Sequence, residues 1–211
     1  SWNSYDPNAM TLGGVTTGTD AGTYTATFTP KEKYQWSDGT KTAKQVTWKI
    51  DRASMAAPTQ SGSLTFNGSP QSPSWSGYDT GKMTLGGTTT GTNAGSYNAT
   101  FTPGANYKWS DGSTGTKTVV WRIGKAAGSL SLNKTSMKLT AAKKTDTITV
   151  TRAGDGVITA TSNASGVASV SVSGNTVTVT AKAKGKTTIT VSVAAGTNHN
   201  APANKTCSVE V

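Results

Sequence analysis

The chain has one histidine and one cysteine, the two residue types from which a nucleophilic site could be built. His199 lies in the polar segment 196–200, and Cys207 follows near the end of the sequence. A cysteine nucleophile needs a histidine base within hydrogen-bond reach, an orienting carboxylate and donors for the developing oxyanion. Neither the carboxylate nor the oxyanion loop is recognisable, so we interpret His199 as a loop residue and expect no enzymatic activity.

Metal and phosphate sites lack their usual signatures as well. The ten acidic residues are widely spread, without the alternating aspartates of a calcium-binding loop or a cluster of His and Cys. The glycine-rich run GTTTGTNAG (87–95) has no strand-to-helix context, which a phosphate-binding loop requires. We therefore predict no catalytic residues, no bound metal and no cofactor.

Four tryptophans are candidates for binding a saccharide ring by stacking. Trp36 and Trp109 each precede a Ser-Asp-Gly turn. Trp2 and Trp75 each lie in a polar stretch before a Tyr-Asp pair. For Trp36 and Trp109 we favour core and hairpin packing, because Trp36 shares its strand face with Tyr34. For Trp2 and Trp75 the sequence leaves both a core position and an exposed rim open.

Lysines form the strongest charge feature of the chain. Residues 125–211 contain ten Lys/Arg against three Asp/Glu, so most of the net charge of +10 belongs to this part. In an extended chain, residues spaced by two share a face. A candidate anion-binding stripe therefore comprises Lys182, Lys184 and Lys186, with Lys143 and Lys144 beside it. The alternative, which we favour, is a solvated strand face protected from aggregation. No aromatic or arginine side chain interleaves the lysines, which argues against specific nucleic-acid binding.

The elements that must position these residues are organised as a repeat. The segment from Trp2 to Ile50 reappears from Trp75 to Ile123 without insertion or deletion, so each residue has an equivalent 73 positions later. Both copies contain MTLGG, AGxYxATFTP, YxWSDG and a closing VxWxI. A repeat of domain length indicates modules in series, which usually serve spacing, display or multivalent binding.

Alternating apolar and polar residues within the repeat predict half-buried strands. Threonines on one face of a strand alternate with aromatic and aliphatic residues on the other face, and Pro30 ends one such strand. Tyr34 and Trp36 begin the next predicted strand, and Val46, Trp48 and Ile50 face inward on the closing one. The predicted core positions of the two copies are Tyr24, Phe28 and Trp48, and Tyr97, Phe101 and Trp121.

The second copy is preceded by a segment that the first copy lacks. Residues 63–67 resemble a strand, with Leu64 and Phe66 on one face. By the repeat register, the equivalent segment would precede Ser1. We therefore expect the first copy to miss a strand and the sequence to be a fragment.

The segment Asp20–Ala26 resembles the D-x-G-x-Y-x-C element of immunoglobulin-type domains, and Asn93–Ala99 repeats it. The resemblance implies a corner in which the tyrosine hydroxyl bonds to upstream backbone, with MTLGG as the preceding strand. Ala26 and Ala99 stand at the cysteine position. With one cysteine there is no intrachain disulfide, so the resemblance is to disulfide-free bacterial domains.

Residues 129–211 resemble a bacterial group 2 immunoglobulin-like domain. The matching stretches are SLSLNKTSMKLTAAKKTDTITVT, VASVSVSGNTVTVTAKAKGKTTITVSV and the closing KTCSVEV. The segment Ala160–Ser162 departs from the Trp-Ser-Ser usual at that place. About eight short strands with turns between them are typical of a sandwich.

The sequence thus predicts an all-β protein of three immunoglobulin-like sandwich modules, at 1–52, 53–125 and 126–211. No apolar run has transmembrane length, and no signal peptide is recognisable. The resemblance implies an extracellular stalk or adhesin segment of a bacterial surface protein. The alternatives are a binding module for a glycan, a wall polymer or a host surface or serum protein such as an immunoglobulin, and a phage tail or capsid decoration domain.

Overall fold

The computed structural model describes residues 1–211 and contains β-strands joined by turns and loops, with no helix. The prediction of an all-β fold is confirmed. The structure therefore contains no helix that is long and apolar enough to cross a membrane.

The first repeat forms one antiparallel sheet of three strands, in the order β1-β2-β3. These strands are β1 (Met10–Gly14), β2 (Gly22–Pro30) and β3 (Lys44–Ile50). Ala26 and Phe28 are buried on one face of β2, while the alternating Thr25, Thr27 and Thr29 are partly exposed. This pattern agrees with the period of two that predicted the strand. MTLGG forms the strand before the corner, as the immunoglobulin resemblance implied.

The second repeat and the segment before it contain more strands than the first. They are β4 (Ala53–Met55), β5 (Thr59–Ser61), β6 (Leu64–Thr65), β7 (Ser74–Ser76), β8 (Met83–Gly87), β9 (Gly95–Pro103), β10 (Tyr107–Trp109) and β11 (Lys117–Gly124). One sheet has the order β6-β11-β9-β8, and two further pairs are β10 with β4 and β5 with β7. The predicted strand at 63–67 is observed as the shorter β6, which runs parallel to β11.

The prediction of a strand at Tyr34 and Trp36 is wrong for the first repeat. The equivalent residues of the second repeat form β10, which pairs in parallel with β4. Residues 34–36 of the first repeat are not in a strand and pair with none. An extended segment is stabilised as a strand only where a neighbour takes up its backbone hydrogen bonds. The same sequence motif therefore has two different outcomes.

The last third is a sandwich of two four-stranded sheets, with orders β12-β14-β17-β16 and β13-β19-β18-β15. Its eight strands, as predicted in number, are β12 (Ser129–Leu132), β13 (Ser136–Lys138), β14 (Thr145–Ala153), β15 (Ile158–Ser162), β16 (Ala168–Ser173), β17 (Thr176–Ala181), β18 (Lys186–Val193) and β19 (Lys205–Glu210). Aliphatic side chains of both sheets form one core cluster. Val177, Val179, Ile189 and Val191 are fully buried in it.

By spatial proximity the chain divides into two compact units, and the second repeat contributes residues to both. One unit comprises Ser1–Thr59, Trp75–Gly87 and Ala99–Val119. The other comprises Gln60–Ser74, Thr88–Asn98 and Val120–Val211. The three-module division at residues 52 and 125 stays a prediction from the sequence repeat.

Candidate functional site

Each repeat contains a tyrosine corner of the kind that the sequence motif implied. The Tyr24 hydroxyl donates to the carbonyl oxygen of Asp20 at 2.6 Å, and the Tyr97 hydroxyl donates to that of Asn93 at the same distance. The Tyr24 ring stacks on Trp48, with the ring centroids 4.7 Å apart. The corner loop is thereby fixed at the start of the central strand of its sheet.

The second corner is built in the same way, with one difference in burial. The Tyr97 and Trp121 rings stack with centroids 4.5 Å apart, and the Trp121 indole donates to the Thr88 carbonyl at 2.6 Å. Trp121 is fully buried, whereas Trp48 is only partly buried. Of the other predicted core residues, Phe28 and Phe101 are buried, and Tyr24 and Tyr97 are partly buried.

An asparagine of the second repeat, Asn106, forms hydrogen bonds to the first corner. The Asn106 side-chain oxygen accepts from the Ala21 amide at 2.7 Å, and its nitrogen donates to the Asp20 carboxylate at 2.7 Å. The Asn106 carbonyl accepts from the Ala53 amide at 2.9 Å. The Arg52 guanidinium also donates to the carbonyl of Ala105. One residue thus ties the first corner and the segment after β3 to the second repeat.

Asn198 makes the same set of bonds at the second corner. Its side-chain oxygen accepts from the Ala94 amide at 2.8 Å, and its nitrogen donates to the Asn93 side-chain oxygen at 3.2 Å. Its carbonyl accepts from the Ala126 amide at 2.9 Å, and the Lys125 ammonium bonds to the nearby Gly196 carbonyl. Ala94 and Ala126 are the repeat equivalents of Ala21 and Ala53. We refer to the two arrangements, centred on Asn106 and Asn198, as the asparagine junctions.

Neither asparagine is predicted from the sequence, although a short signal is present. Each one is the third residue of a Gly-x-Asn triplet that follows a strand, at Gly104–Asn106 and Gly196–Asn198. The first repeat has Lys33 at the position equivalent to Asn106. The triplet carries no signature of its own, and only the spatial pairing with a corner shows its role.

His199 belongs to the second junction and is separate in role from Cys207. Its Nδ1 atom lies 3.2 Å from the Asp155 carboxylate, and its ring meets the Phe66 ring edge to face. The Asn198 amide, followed by contact with His199, lowers the pKa of Asp155 to about 2. Cys207 is buried in the core of the last sandwich, where burial raises the pKa of its thiol. A buried neutral thiol is a packing residue. No group of three or more His, Cys, Asp or Glu side chains converges anywhere in the structure.

The four candidate tryptophans differ in exposure between the repeats. Trp109 is fully buried, while Trp2, Trp36 and Trp75 are partly buried. Trp2 meets the Phe28 ring edge to face, and Trp75 meets Phe101 in the same way. The four therefore pack within their repeats and do not form one flat platform.

An ion pair closes the hairpin beside Trp36 and Trp109 in both repeats. The Lys44 ammonium lies over the Trp36 ring and 2.7 Å from the Asp38 carboxylate. Hydrogen bonds from Lys44 and then Thr40 hold the pKa of Asp38 well below its usual range. Lys117 and Asp111 repeat the arrangement over Trp109, and the pKa of Asp111 is lowered for the same reason.

Beside Trp36 the first repeat has an open, largely apolar groove of about 400 Å³. Its lining includes the side chains of Trp2, Tyr5, Met10, Phe28, Trp36 and Val46. We refer to this feature as the Trp36 groove. Val46 is 44% exposed, which is unusual for a residue predicted to face inward.

The candidate lysines do not form one stripe along a strand. Strand β17 ends at Ala181 and β18 begins at Lys186, so Lys182 and Lys184 lie in the connection between the two sheets. The expectation of a single extended face is wrong because the chain bends at residues 183–185, between the two strands. Lys143 is paired with Asp146 at 3.0 Å, and Lys186 lines a different concavity.

The fold nevertheless brings four lysines to one open groove of about 600 Å³. These are Lys138, Lys144, Lys182 and Lys184, and Glu210 also lines the groove. Three of the five candidate lysines, Lys144, Lys182 and Lys184, thus come together in this groove.

No family model matches the chain, and no curated protein is detectably similar to it. Solved structures give remote matches. Domains 4 and 5 of the S-layer protein SbsC match with 18% identity over 73% of this chain and 98% of that one, with a TM-score of 0.34. PcdhgB3 EC1-4 matches with 11% identity over 98% of this chain and 65% of that one, with a TM-score of 0.30. A third match is SGBP-B of the Bacteroides ovatus mixed-linkage glucan utilization locus, solved in complex with a mixed-linkage heptasaccharide. It matches with 14% identity over 92% of this chain and 53% of that one, with a TM-score of 0.22.

Proposed function

We propose that this chain is a spacing and display segment of an extracellular bacterial surface protein, in which tandem immunoglobulin-like modules are held at fixed junctions. The observation that carries the proposal is the asparagine junction, which occurs twice with hydrogen bonds between equivalent positions. Under this proposal the chain has no catalytic role, and its last module is of the bacterial group 2 type.

The physical argument rests on what an unlocked linker would do. Domains joined by a short linker move relative to one another unless the interface is large and apolar or specifically bonded. Here Asn106 bonds at once to a side chain, a corner amide and a linker amide. A typical hydrogen bond adds about 0.5–1.5 kcal/mol, so three in one place favour one orientation. Repetition of the device at Asn198 indicates that a defined junction is a property of the array.

Substitution of both asparagines tests the proposal. In the Asn106→Ala and Asn198→Ala double variant, we expect the small-angle scattering profile to show a broader distribution of sizes and the segments 51–59 and 124–128 to be cleaved faster by protease. Asn98→Ala is the matched control, since Asn98 is exposed on β9. If the double variant scatters like the control and resists protease equally, the junctions do not set the geometry and the proposal fails. A chelator is expected to leave the melting temperature unchanged.

A second candidate function is weak attachment to an anionic polymer of a cell wall. The observation that favours it is the convergence of Lys138, Lys144, Lys182 and Lys184 on one groove. Clustered positive charge attracts polyanions in a salt-dependent way. Titration with polyphosphate at low ionic strength tests it, with Lys182→Gln/Lys184→Gln as the variant and exposed Lys205→Gln as its control. Equal binding by both variants would eliminate this groove as the attachment site.

A further inference from the structure

The second repeat contains an extra strand at the place where the first repeat has the Trp36 groove. Ala53, Ser54 and Met55 run parallel to Tyr107, Lys108 and Trp109. The Ser110 amide donates to the Met55 carbonyl at 2.8 Å. Pro58, which follows the strand, is fully buried beside Gly77. The segment Ala53–Pro58 therefore covers this edge of the second repeat.

The first repeat has the same acceptor residues without the covering segment. Trp109 is fully buried and Met83 is 3% exposed, whereas their equivalents Trp36 and Met10 are both partly exposed. Tyr34 is 46% exposed, and the backbone amide of Ser37 has no hydrogen-bond partner, although its equivalent Ser110 does. The difference lies in the missing neighbour, because the two motifs differ at one residue between Tyr34 and Gly39.

We propose that the Trp36 groove is an acceptor for an extended strand with the chemistry of Ala53–Pro58, which runs parallel to residues 34–36 and is supplied by polypeptide on the N-terminal side of the first repeat. Addition of a strand to an open edge gains affinity from main-chain hydrogen bonds and specificity from the side chains that enter pockets. Small residues, an apolar residue of the size of methionine and a proline meet these requirements in the second repeat. The occupant is therefore another linker of this repeat type.

Lys33 indicates which part of the junction the occupant must supply. A lysine ammonium donates hydrogen bonds but accepts none. The first repeat therefore cannot accept a corner amide through its side chain as Asn106 does. The carbonyl of residue 33 remains available, as the Asn106 carbonyl is for Ala53. The backbone contact with the added strand is therefore the only part of the junction that both repeats can share.

The repeat register supplies the test. Ser1 is the equivalent of Ser74, so a copy of residues 53–73 fused directly ahead of Ser1 places the added strand where β4 lies in the second repeat. Hydrogen exchange of the Ser37 amide in the full chain is the readout. We expect exchange to slow on the order of tenfold or more in the fused protein. The same fusion with Met55→Asp in the added copy is the matched control, and its Ser37 amide is expected to exchange nearly as fast as in the unfused chain.

Two results would overturn the proposal. One is a Ser37 amide that exchanges equally fast with and without the fused strand, since the groove then does not accept it. The other is a dimer of the unfused chain in which Ser37 is already protected, since a second copy would then be the occupant. Melting temperatures of the fused and control proteins provide an independent measurement, and an increase with the intact strand alone supports the assignment.

Discussion

The side-chain nitrogen of Asn106 donates a hydrogen bond of 2.7 Å to the carboxylate of Asp20, which lies 86 residues earlier in the chain. The corresponding pair at the other junction is Asn198 with Asn93, at 3.2 Å and between two neutral amides. The two junctions thus have the same pattern of hydrogen bonds but unequal charge. A hydrogen bond to an ionised group is stronger than one between neutral groups, and this difference gives a direct experiment.

Asn106→Asp is expected to lower the free energy of unfolding by about 1–3 kcal/mol, because it places a carboxylate against Asp20 and removes the donor. Asn198→Asp is expected to have a smaller effect, since the side-chain amide of Asn93 can turn and donate to it. Denaturant unfolding at neutral pH measures both. Asp20→Asn should restore most of the stability of Asn106→Asp, and equal losses for the two single variants would show that charge at the corner is irrelevant.

Trp121→Ala is expected to cost about 3–5 kcal/mol of unfolding free energy, as is usual for a large aromatic removed from a core. Trp48→Ala is expected to cost less, because Trp48 retains contact with solvent in the folded state. Val120, the neighbour of Trp121 on β11, is 50% exposed, and Val120→Ala is the control. A cost below about 1 kcal/mol for Trp121→Ala would contradict its place in the core.

The last sandwich is expected to lose stability in acid through Asp146. Hydrogen bonds from Lys143, the Thr147 amide and Lys134 lower the pKa of Asp146 from 3.8 to about 2. A carboxyl group with a lowered folded-state pKa contributes stability that is present above pH 3.8 and is lost as the pH falls through 2.

Denaturant midpoints of the wild type and of Asp146→Asn between pH 6 and pH 2 measure this contribution. The variant should be less stable at pH 6 and should show a shallower decline, so that the two curves approach each other in acid. Glu210→Gln serves as the control on an exposed carboxylate. Parallel curves for the wild type and Asp146→Asn would assign the acid sensitivity to other groups.

Amides of residues 23–29 are expected to exchange faster than those of residues 96–102 in the dilute monomer. The reason is that the first repeat lacks the covering strand and has exposed Val46 and Tyr34, so local opening costs it less free energy. Exchange measured by mass spectrometry on peptides of equal length gives a direct comparison. Equal protection of the two strands would mean that the missing segment contributes nothing to the stability of the first repeat.

The sequence by itself determined the class of fold and the equivalence of the repeats. Alternation of threonine with Tyr24, Ala26 and Phe28 allows only a strand with one buried face, because successive side chains point to opposite sides. The recurrence of Asp20–Tyr24 as Asn93–Tyr97 sufficed to predict both corners, since their hydrogen bonds join residues four positions apart. Features of this kind depend on local geometry, and local geometry is contained in a short segment.

Only the tertiary structure decided which residues of equal sequence context are buried and which remain available. Tyr34–Trp36 and Tyr107–Trp109 have almost the same sequence. The first segment is a loop beside the Trp36 groove, whereas the second is a strand paired with Ala53–Met55. Asn106 and Asn198 acquire their role from partners 85 and 104 residues away. The predicted lysine stripe is interrupted by a bend at residues 183–185. Strand pairing and burial depend on what lies alongside a segment in space, and that neighbour is set by the whole chain.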